Sequence, residues 1–233
     1  MIRDIKVDPQ LFSKRWVSYL DLLGFSEIVR SKNWSYVFSY YTRAIERFVK
    51  DRGFEPEVNK TWFSDTFLIY SSDSSMNSFL SVESTTRWFT YFLTSAGIPV
   101  RGAMSYGDFY ADKNNNVFFG EALIEAYSFG ENQNWIGFII CPSAIEQMKS
   151  IGLPADQRLN YAYWKIPYKK MQSDIPEKLP AYIIGGSVEI NGINVCLEKL
   201  KEMRTRQSDD RIIQKYDNTI DFILRNKRTV VKT

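Results

Sequence analysis

Histidine is absent from all 233 residues of the chain. Its absence excludes Ser-His-Asp and Cys-His nucleophilic mechanisms and zinc centres built on imidazole. Any metal is therefore expected on oxygen ligands, which points to Mg²⁺ or Mn²⁺. Proton transfer falls to a carboxylate, a lysine, a tyrosine or a metal-bound hydroxyl. Cysteine is scarce as well: Cys141 and Cys196 lie in apolar stretches without CxxC spacing, so they read as reduced core thiols. No apolar run approaches the roughly 20 residues that span a bilayer. The opening MIRDIKVDPQ lacks the apolar stretch of a secretory signal, so a cytoplasmic location without membrane contact is expected. A formal net charge of +3 is too small to call for a nucleic-acid partner.

What is present is an ordinary globular composition, 44% hydrophobic and 24% charged, enough for one sizeable core. The segment Arg15–Phe25 reads as a largely buried strand broken by Gly24, with Ser26 as the cap of a following helical turn. A helix follows from Trp34, with Val37, Tyr40, Tyr41, Ile45 and Phe48 near helical spacing and Gly53 ending it. Lys60–Ser72 suggests two short strands around a polar turn at Ser64-Asp65. A second helix covers Ser81–Gly97, a strand begins at Ile98, and the turn-rich ADKNNN leads to VFFG. This strand–helix–strand–strand–helix–strand order is the ferredoxin-like signature. Beyond Gly120 come a helix, the strand WIGFIIC, a short helix at Ser143–Lys149, strands at Ala162–Tyr168 and Ala181–Val188, and a final helix over Asp209–Arg225. The expected fold is α+β: a βαββαβ core with additional strands and a C-terminal helical extension. It forms a single domain over 1–233, with a core at about 15–190 and the extension at about 191–233.

Asp21, inside the apolar run YLDLLGFSEIV, is the residue that needs explaining. Burying a carboxylate without partners costs several kcal/mol. Either Asp21 meets a cation, or the strand ends there and the side chain faces solvent. The ferredoxin-like topology can bring Asp21, near the end of the first strand, to Asp65 in the hairpin. Two close carboxylates repel, and a divalent cation is their natural third member. The Gly24-Phe25-Ser26 turn adds backbone N–H groups suited to phosphate. Taken singly, Asp65 reads equally as a turn residue and Asp21 as a strand cap; their combination points to a nucleoside triphosphate site.

These residues carry a family resemblance. YLDLLGFSEIV resembles the first metal motif of class III nucleotidyl cyclases, and WFSDTFLIY resembles the second. VRGAMSYGDFY is similar to their Arg-x-Gly strand, and FFGEALIEAYSFGE to the segment at the following helix. The resemblance runs from about Tyr19 to about Tyr168, and its details are most similar to the bacterial pyrimidine cyclases of Pycsar antiphage systems. It implies two Mn²⁺ or Mg²⁺ ions on Asp21 and Asp65, with the backbone carbonyl of Leu22 completing one shell. It further implies phosphate on the Gly24, Phe25 and Ser26 backbone, and Lys169 in the place of the family's late phosphate-binding lysine.

The departures are as informative. Where purine cyclases place a base-reading Lys or Glu, this chain has Thr61. On a strand, Thr61, Phe63 and Asp65 share a face, so a small hydroxyl and a large ring would line a base pocket suited to a pyrimidine. The family's ribose-orienting Asn and transition-state Arg are replaced by Ile124 and Ser128. Arg101 is a candidate to replace the lost donor, although its place opening a strand equally suits a surface ion pair. Tyr127, Asn134 and Trp135 read as packing or dimer contacts. The family forms its sites between two cyclase domains, which implies a homodimer with sites at the interface. The activity implied is conversion of UTP or CTP to a 3′,5′-cyclic nucleotide and pyrophosphate, in antiphage signalling through a separate effector. A silent nucleotide-binding regulator of the same fold and a purine cyclase are the alternatives.

Overall fold

The computed structural model describes residues 8–49, 58–155, 160–170, 175–186 and 191–230. The strands are β1 (Phe12–Leu22), β2 (Val58–Phe63), β3 (Thr66–Ser71), β4 (Val100–Asp112), β5 (Val117–Phe119), β6 (Gly137–Ile140), β7 (Tyr161–Trp164) and β8 (Leu179–Tyr182). The helices are α1 (Phe25–Arg30), α2 (Trp34–Val49), α3 (Met76–Ser95), α4 (Glu121–Asn132), α5 (Pro142–Ser150), α6 (Gly192–Thr205) and α7 (Asp210–Val230). All eight strands form one sheet in the order β2-β3-β1-β4-β6-β8-β7, with β5 paired to β4. Each of the first four strands runs antiparallel to its neighbours, with β1 between β3 and β4. This is the expected ferredoxin-like core. It is extended by β6, which runs parallel to β4, and by the β7–β8 pair.

Alternation of side chains along β1 sends successive residues to opposite faces. Trp16, Leu20 and Leu22 join Phe67 and Ile69 of β3 and the aromatic residues Phe48, Phe79 and Phe89 of the helices α2 and α3 in the main core. The rings of Phe48, Phe67 and Phe89 lie 4.9–5.2 Å apart. On the other face, Val17 and Tyr19 pack with Tyr70 and Leu68 against Ala122 and Ala126 of α4. Gly130 permits that approach, because a Cβ there would meet the Tyr19 ring at 2.8 Å. Strand β1 is thus covered on both faces, which accounts for its near-continuous apolar character.

Several boundaries differ from the sequence reading, among them that strand β7 ends at Trp164 rather than Tyr168. Strand β1 stops at Leu22, and the helical turn after it is capped at Gly24, which adopts φ +80°, rather than at Ser26, which lies inside α1. Only glycine adopts that left-handed geometry without strain. Helix α3 begins five residues earlier than expected, since Ser75 caps it by accepting from the Ser78 N–H at 3.1 Å. Strand β8 ends at Tyr182, and Ile184–Gly186 turn instead of continuing the strand. The expected helix stop at Gly53 and the strand end at Ser187-Val188 lie outside the described residues. Cys141 and Cys196 are both buried, as expected of core thiols. Among the described residues no helix is long and apolar enough to cross a membrane.

The C-terminal helices are held by specific contacts. Phe222 of α7 packs edge-on to Trp135 and Trp164. The Thr219 hydroxyl, fully buried, accepts from the Ile136 N–H at 2.9 Å. Its proton is shared between the carbonyls of Ile136 and Lys215, at 2.8 and 2.9 Å. Asn218 donates to the Asn134 carbonyl at 2.9 Å. Replacing Thr219 by valine keeps the shape and orphans the Ile136 backbone groups, so Thr219→Val is expected to cost roughly 1–3 kcal/mol. Urea unfolding measures this, and an unchanged midpoint would show that α7 is not fastened there.

Candidate active site

The site grows out of one row of side chains across the sheet. In the antiparallel register Thr66 of β3 and Arg101 of β4 both stand opposite Asp21, and Phe63 of β2 stands opposite Thr66. These residues share the face that α4 covers farther along β1. Asp65 precedes Thr66 in a two-residue turn in which Ser64 takes φ 55°. The Leu22 N–H donates to the Asp65 carbonyl at 3.0 Å, which locks the hairpin tip against the end of β1. Asp21 and Asp65 are thereby brought to one place.

Asp21 meets a cation, and the cation is Arg101. The guanidinium, only 5% exposed, donates to Asp21 Oδ2 at 3.1 Å and to Glu131 Oε2 at 2.6 Å. It also donates to the Glu131 carbonyl at 3.1 Å, and the Gln133 carbonyl lies 3.4 Å away. Arg101 therefore sits in a buried ion network, which corrects the option of a surface pair. The Tyr19 hydroxyl donates to Glu131 Oε1 at 3.1 Å, and Lys169 Nζ lies 3.9 Å from Glu131 Oε2. Burial pushes the Asp21 carboxyl up to about 7; Arg101 opposes that rise, while the charges of Glu131 and Asp65 add to it. Burial also raises the Tyr19 phenol and lowers the Lys169 ammonium. Among the described residues the Arg101 Nε–H is buried without a hydrogen-bond partner.

Among the described residues no group of three or more Asp, Glu, Cys or His side chains is arranged to hold a metal ion. The donor set at Asp21 and Asp65 is two carboxylates with the Leu22 backbone beside them. That set suits a hard cation completed by water and substrate phosphates, the usual coordination of Mg²⁺.

The remaining sequence candidates fall around this centre. Gly24 and Ser26 are exposed at the end of β1, whereas the Phe25 ring packs inward on Tyr41 at 5.3 Å, leaving only its backbone for a ligand. Thr61 is half-buried on β2, and Phe63 is 79% exposed at the open edge of the sheet. Ile124 on α4 is 68% exposed and Tyr127 is 54% exposed, while Trp135 is buried and donates to Gln133 Oε1 at 2.6 Å. A cavity of about 980 Å³ opens beside Gly24, lined in part by Tyr40, Tyr168, Lys169 and Lys215. Glu131, Tyr19 and Lys215 were not singled out from sequence. Glu131 follows the Gly130 that lets α4 approach β1, a pairing that becomes meaningful only once α4 is placed over that strand.

No protein-family profile and no curated protein sequence matches this chain. Solved structures do. The adenylyl cyclase CyaB from P. aeruginosa superposes with a TM-score of 0.51 at 11% identity, over 73% of this chain and 93% of its own. The guanylyl cyclase domain of the RhoGC fusion protein from the aquatic fungus Blastocladiella emersonii gives 0.51 at 15% identity, over 73% and 94%. A bacterial light-regulated adenylyl cyclase gives 0.50 at 10% identity, over 81% and 98%. The chain has the fold of class III adenylyl and guanylyl cyclase domains.

Removing the guanidinium leaves the partly buried Asp21 and Glu131 without their cation. Arg101→Met is therefore expected to destabilise the protein by roughly 3–5 kcal/mol, and the Arg101→Met/Asp21→Asn double variant to recover part of the loss. Denaturant unfolding of the two variants checks this. Additive effects would show that the pair is not coupled.

Proposed function

We propose that this protein is a metal-dependent nucleotide cyclase, converting a nucleoside triphosphate to its 3′,5′-cyclic monophosphate and pyrophosphate. The observation that carries the reading is the convergence of Asp21 and Asp65 beside the Gly24 turn, on a sheet with the fold of cyclase domains. Asp21, Asp65 and the Leu22 carbonyl would hold two Mg²⁺ or Mn²⁺ ions. Such ions, when bound, lower the pKa of the ribose 3′-hydroxyl and neutralise the triphosphate. In the reaction a bond forms between the 3′-oxygen and the α-phosphorus, the bond from that phosphorus to the bridging oxygen breaks, and the hydroxyl proton leaves to water. Catalysis of this transfer consists mainly of positioning and charge stabilisation. Arg101 orients Asp21 and supplies a fixed positive charge, while Lys169 and the Gly24–Ser26 backbone receive phosphate.

The substrate we propose is a pyrimidine nucleotide, UTP or CTP. Thr61 and Phe63 share a sheet face with Thr66 and Asp21, and a bulky ring there favours the smaller base. The exposed Phe63, Ile124 and Tyr127 support a homodimer that completes the site, with the catalytic core at about 15–190. A cyclic pyrimidine product acting on a separate effector in antiphage defence is the role that the motif resemblance supports. A second reading has its own observation. Ile124 and Ser128 offer no transition-state donor, and Arg101 is engaged by Asp21 and Glu131, which would suit a catalytically silent nucleotide-binding regulator.

Incubation with Mn²⁺ and each of the four ribonucleoside triphosphates, with products identified by mass spectrometry, separates these readings. Cyclic UMP or CMP is expected. A cyclic purine product would move the specificity, and nucleotide binding without any product would favour the regulator. Asp65→Asn is expected to lower turnover at least 100-fold, in line with losing a group that acts on the transition state, while leaving the unfolding midpoint unchanged or higher. Full activity in that variant would remove Asp65 from the mechanism.

A further inference from the structure

The short segment Glu131–Ile136, between α4 and β6, is a hub on which three cationic side chains are mounted. Arg101 bonds to the carbonyl of Glu131 and lies 3.4 Å from that of Gln133. The loop carrying Lys169 is fastened by two backbone bonds, Lys169 N–H to the Asn132 carbonyl at 2.7 Å and Asn134 N–H to the Pro167 carbonyl at 2.6 Å. On the other side, Asn218 and Thr219 of α7 bond to Asn134 and Ile136. Thr219 also shares its proton with the Lys215 carbonyl, which fixes the backbone from which Lys215 extends. Asn134, Ile136, Lys169 and Lys215 all line the cavity beside Gly24.

The cavity wall holds four cationic side chains, Lys169, Arg206, Arg211 and Lys215, and three acidic ones, Glu27, Asp209 and Asp210. Arg206 is engaged by Glu202, and Arg211 by both oxygens of Asp209. Lys215 is half-buried, and among the described residues no carboxylate lies within ion-pairing distance of it. A half-buried lysine packs its alkyl stem on the protein and keeps its ammonium in water, here on the cavity wall, where it can meet an anion. Burial and the nearby Arg101 lower its ammonium pKa, while Glu27, Asp21 and Asp209 act in the opposite direction. Lys215 thus lies within the electrostatic reach of the Asp21 centre and retains an unspent charge.

We infer that Lys215 of the C-terminal helix is a substrate-binding residue that takes the polyphosphate of a nucleoside triphosphate together with Lys169. The inference rests on the reading of this site as a nucleotide site and extends it: α7 is part of the binding pocket rather than an appendage. The polyphosphate would enter beside Gly24, where the cavity is of a size usual for small-ligand sites, and its charge would supply the counter-ion that Lys215 lacks.

The test uses the full chain and inorganic tripolyphosphate, followed by calorimetry with and without Mg²⁺. Lys215→Met is expected to weaken tripolyphosphate binding roughly 10- to 100-fold, the range for losing one charged hydrogen bond, and Lys215→Arg to restore most of it. With the preferred nucleotide, Lys215→Met should raise KM more than it lowers kcat. Equal tripolyphosphate affinity in Lys215→Met and the parent, or no tripolyphosphate binding by the parent, would overturn the inference. Lys215-dependent binding in a protein that forms no cyclic product would uphold it while removing the cyclase reading.

Discussion

The Arg101 guanidinium is the interaction on which the candidate site depends. It stands opposite Asp21 on neighbouring antiparallel strands and reaches across to Glu131 at the end of α4. One cation therefore fixes the sheet, the helix and the segment leading into β6 relative to one another. A buried ion network of this kind is weak evidence for net stability, because desolvation offsets much of the attraction. Its value lies in geometry: each group has one arrangement in which its partners are satisfied. Burial is the main cause of the raised Asp21 carboxyl, and Arg101 opposes it; a cation arriving beside Asp21 would favour its ionised form further.

The same segment joins the chemistry to the C-terminal extension. Residues 132–136 receive the Lys169 loop on one side and α7 on the other. Cyclase domains of known structure match 73–81% of the chain, so a substantial part of this protein lies outside the shared fold. Helix α7 contributes Arg211, Gln214 and Lys215 to the wall of the cavity at Gly24. A helix docked by Thr219, Asn218 and Phe222 can hold a lysine in place, whereas a loosely attached tail would lose any binding gain to the entropy of ordering it.

The candidate site combines a missing feature with a replaced one. On the proposed reading, an oxygen-ligand metal site is the route to activating a hydroxyl in a chain without histidine, and the two aspartates would supply it. On that reading too, with Ile124 and Ser128 in place of Asn and Arg, stabilisation of the transferring phosphoryl group would come from elsewhere. Arg101, Lys169 and Lys215 are the cations that the fold places near Asp21, and the first of these is already engaged. The division of labour among the three separates an active enzyme from a nucleotide-binding relative of the same shape.

The sequence by itself determined the central pairing. The aromatic and branched content of Arg15–Phe25, the Ser64-Asp65 turn and Gly24 marked β1 and the β2–β3 hairpin, and strand order in a ferredoxin-like core placed the ends of β1 and that hairpin side by side. These are local signals, since turn geometry and side-chain alternation act between residues close along the chain. Three features were decided only by tertiary structure: the burial of Arg101, the arrival of Glu131 beside it, and the placement of Lys215 on a helix docked against residues 134–136. Each joins segments 30 to more than 80 residues apart, and an isolated Glu, Arg or Lys reads as solvated surface. Only when the sheet and helices close do these charges lose water together and acquire one another as partners.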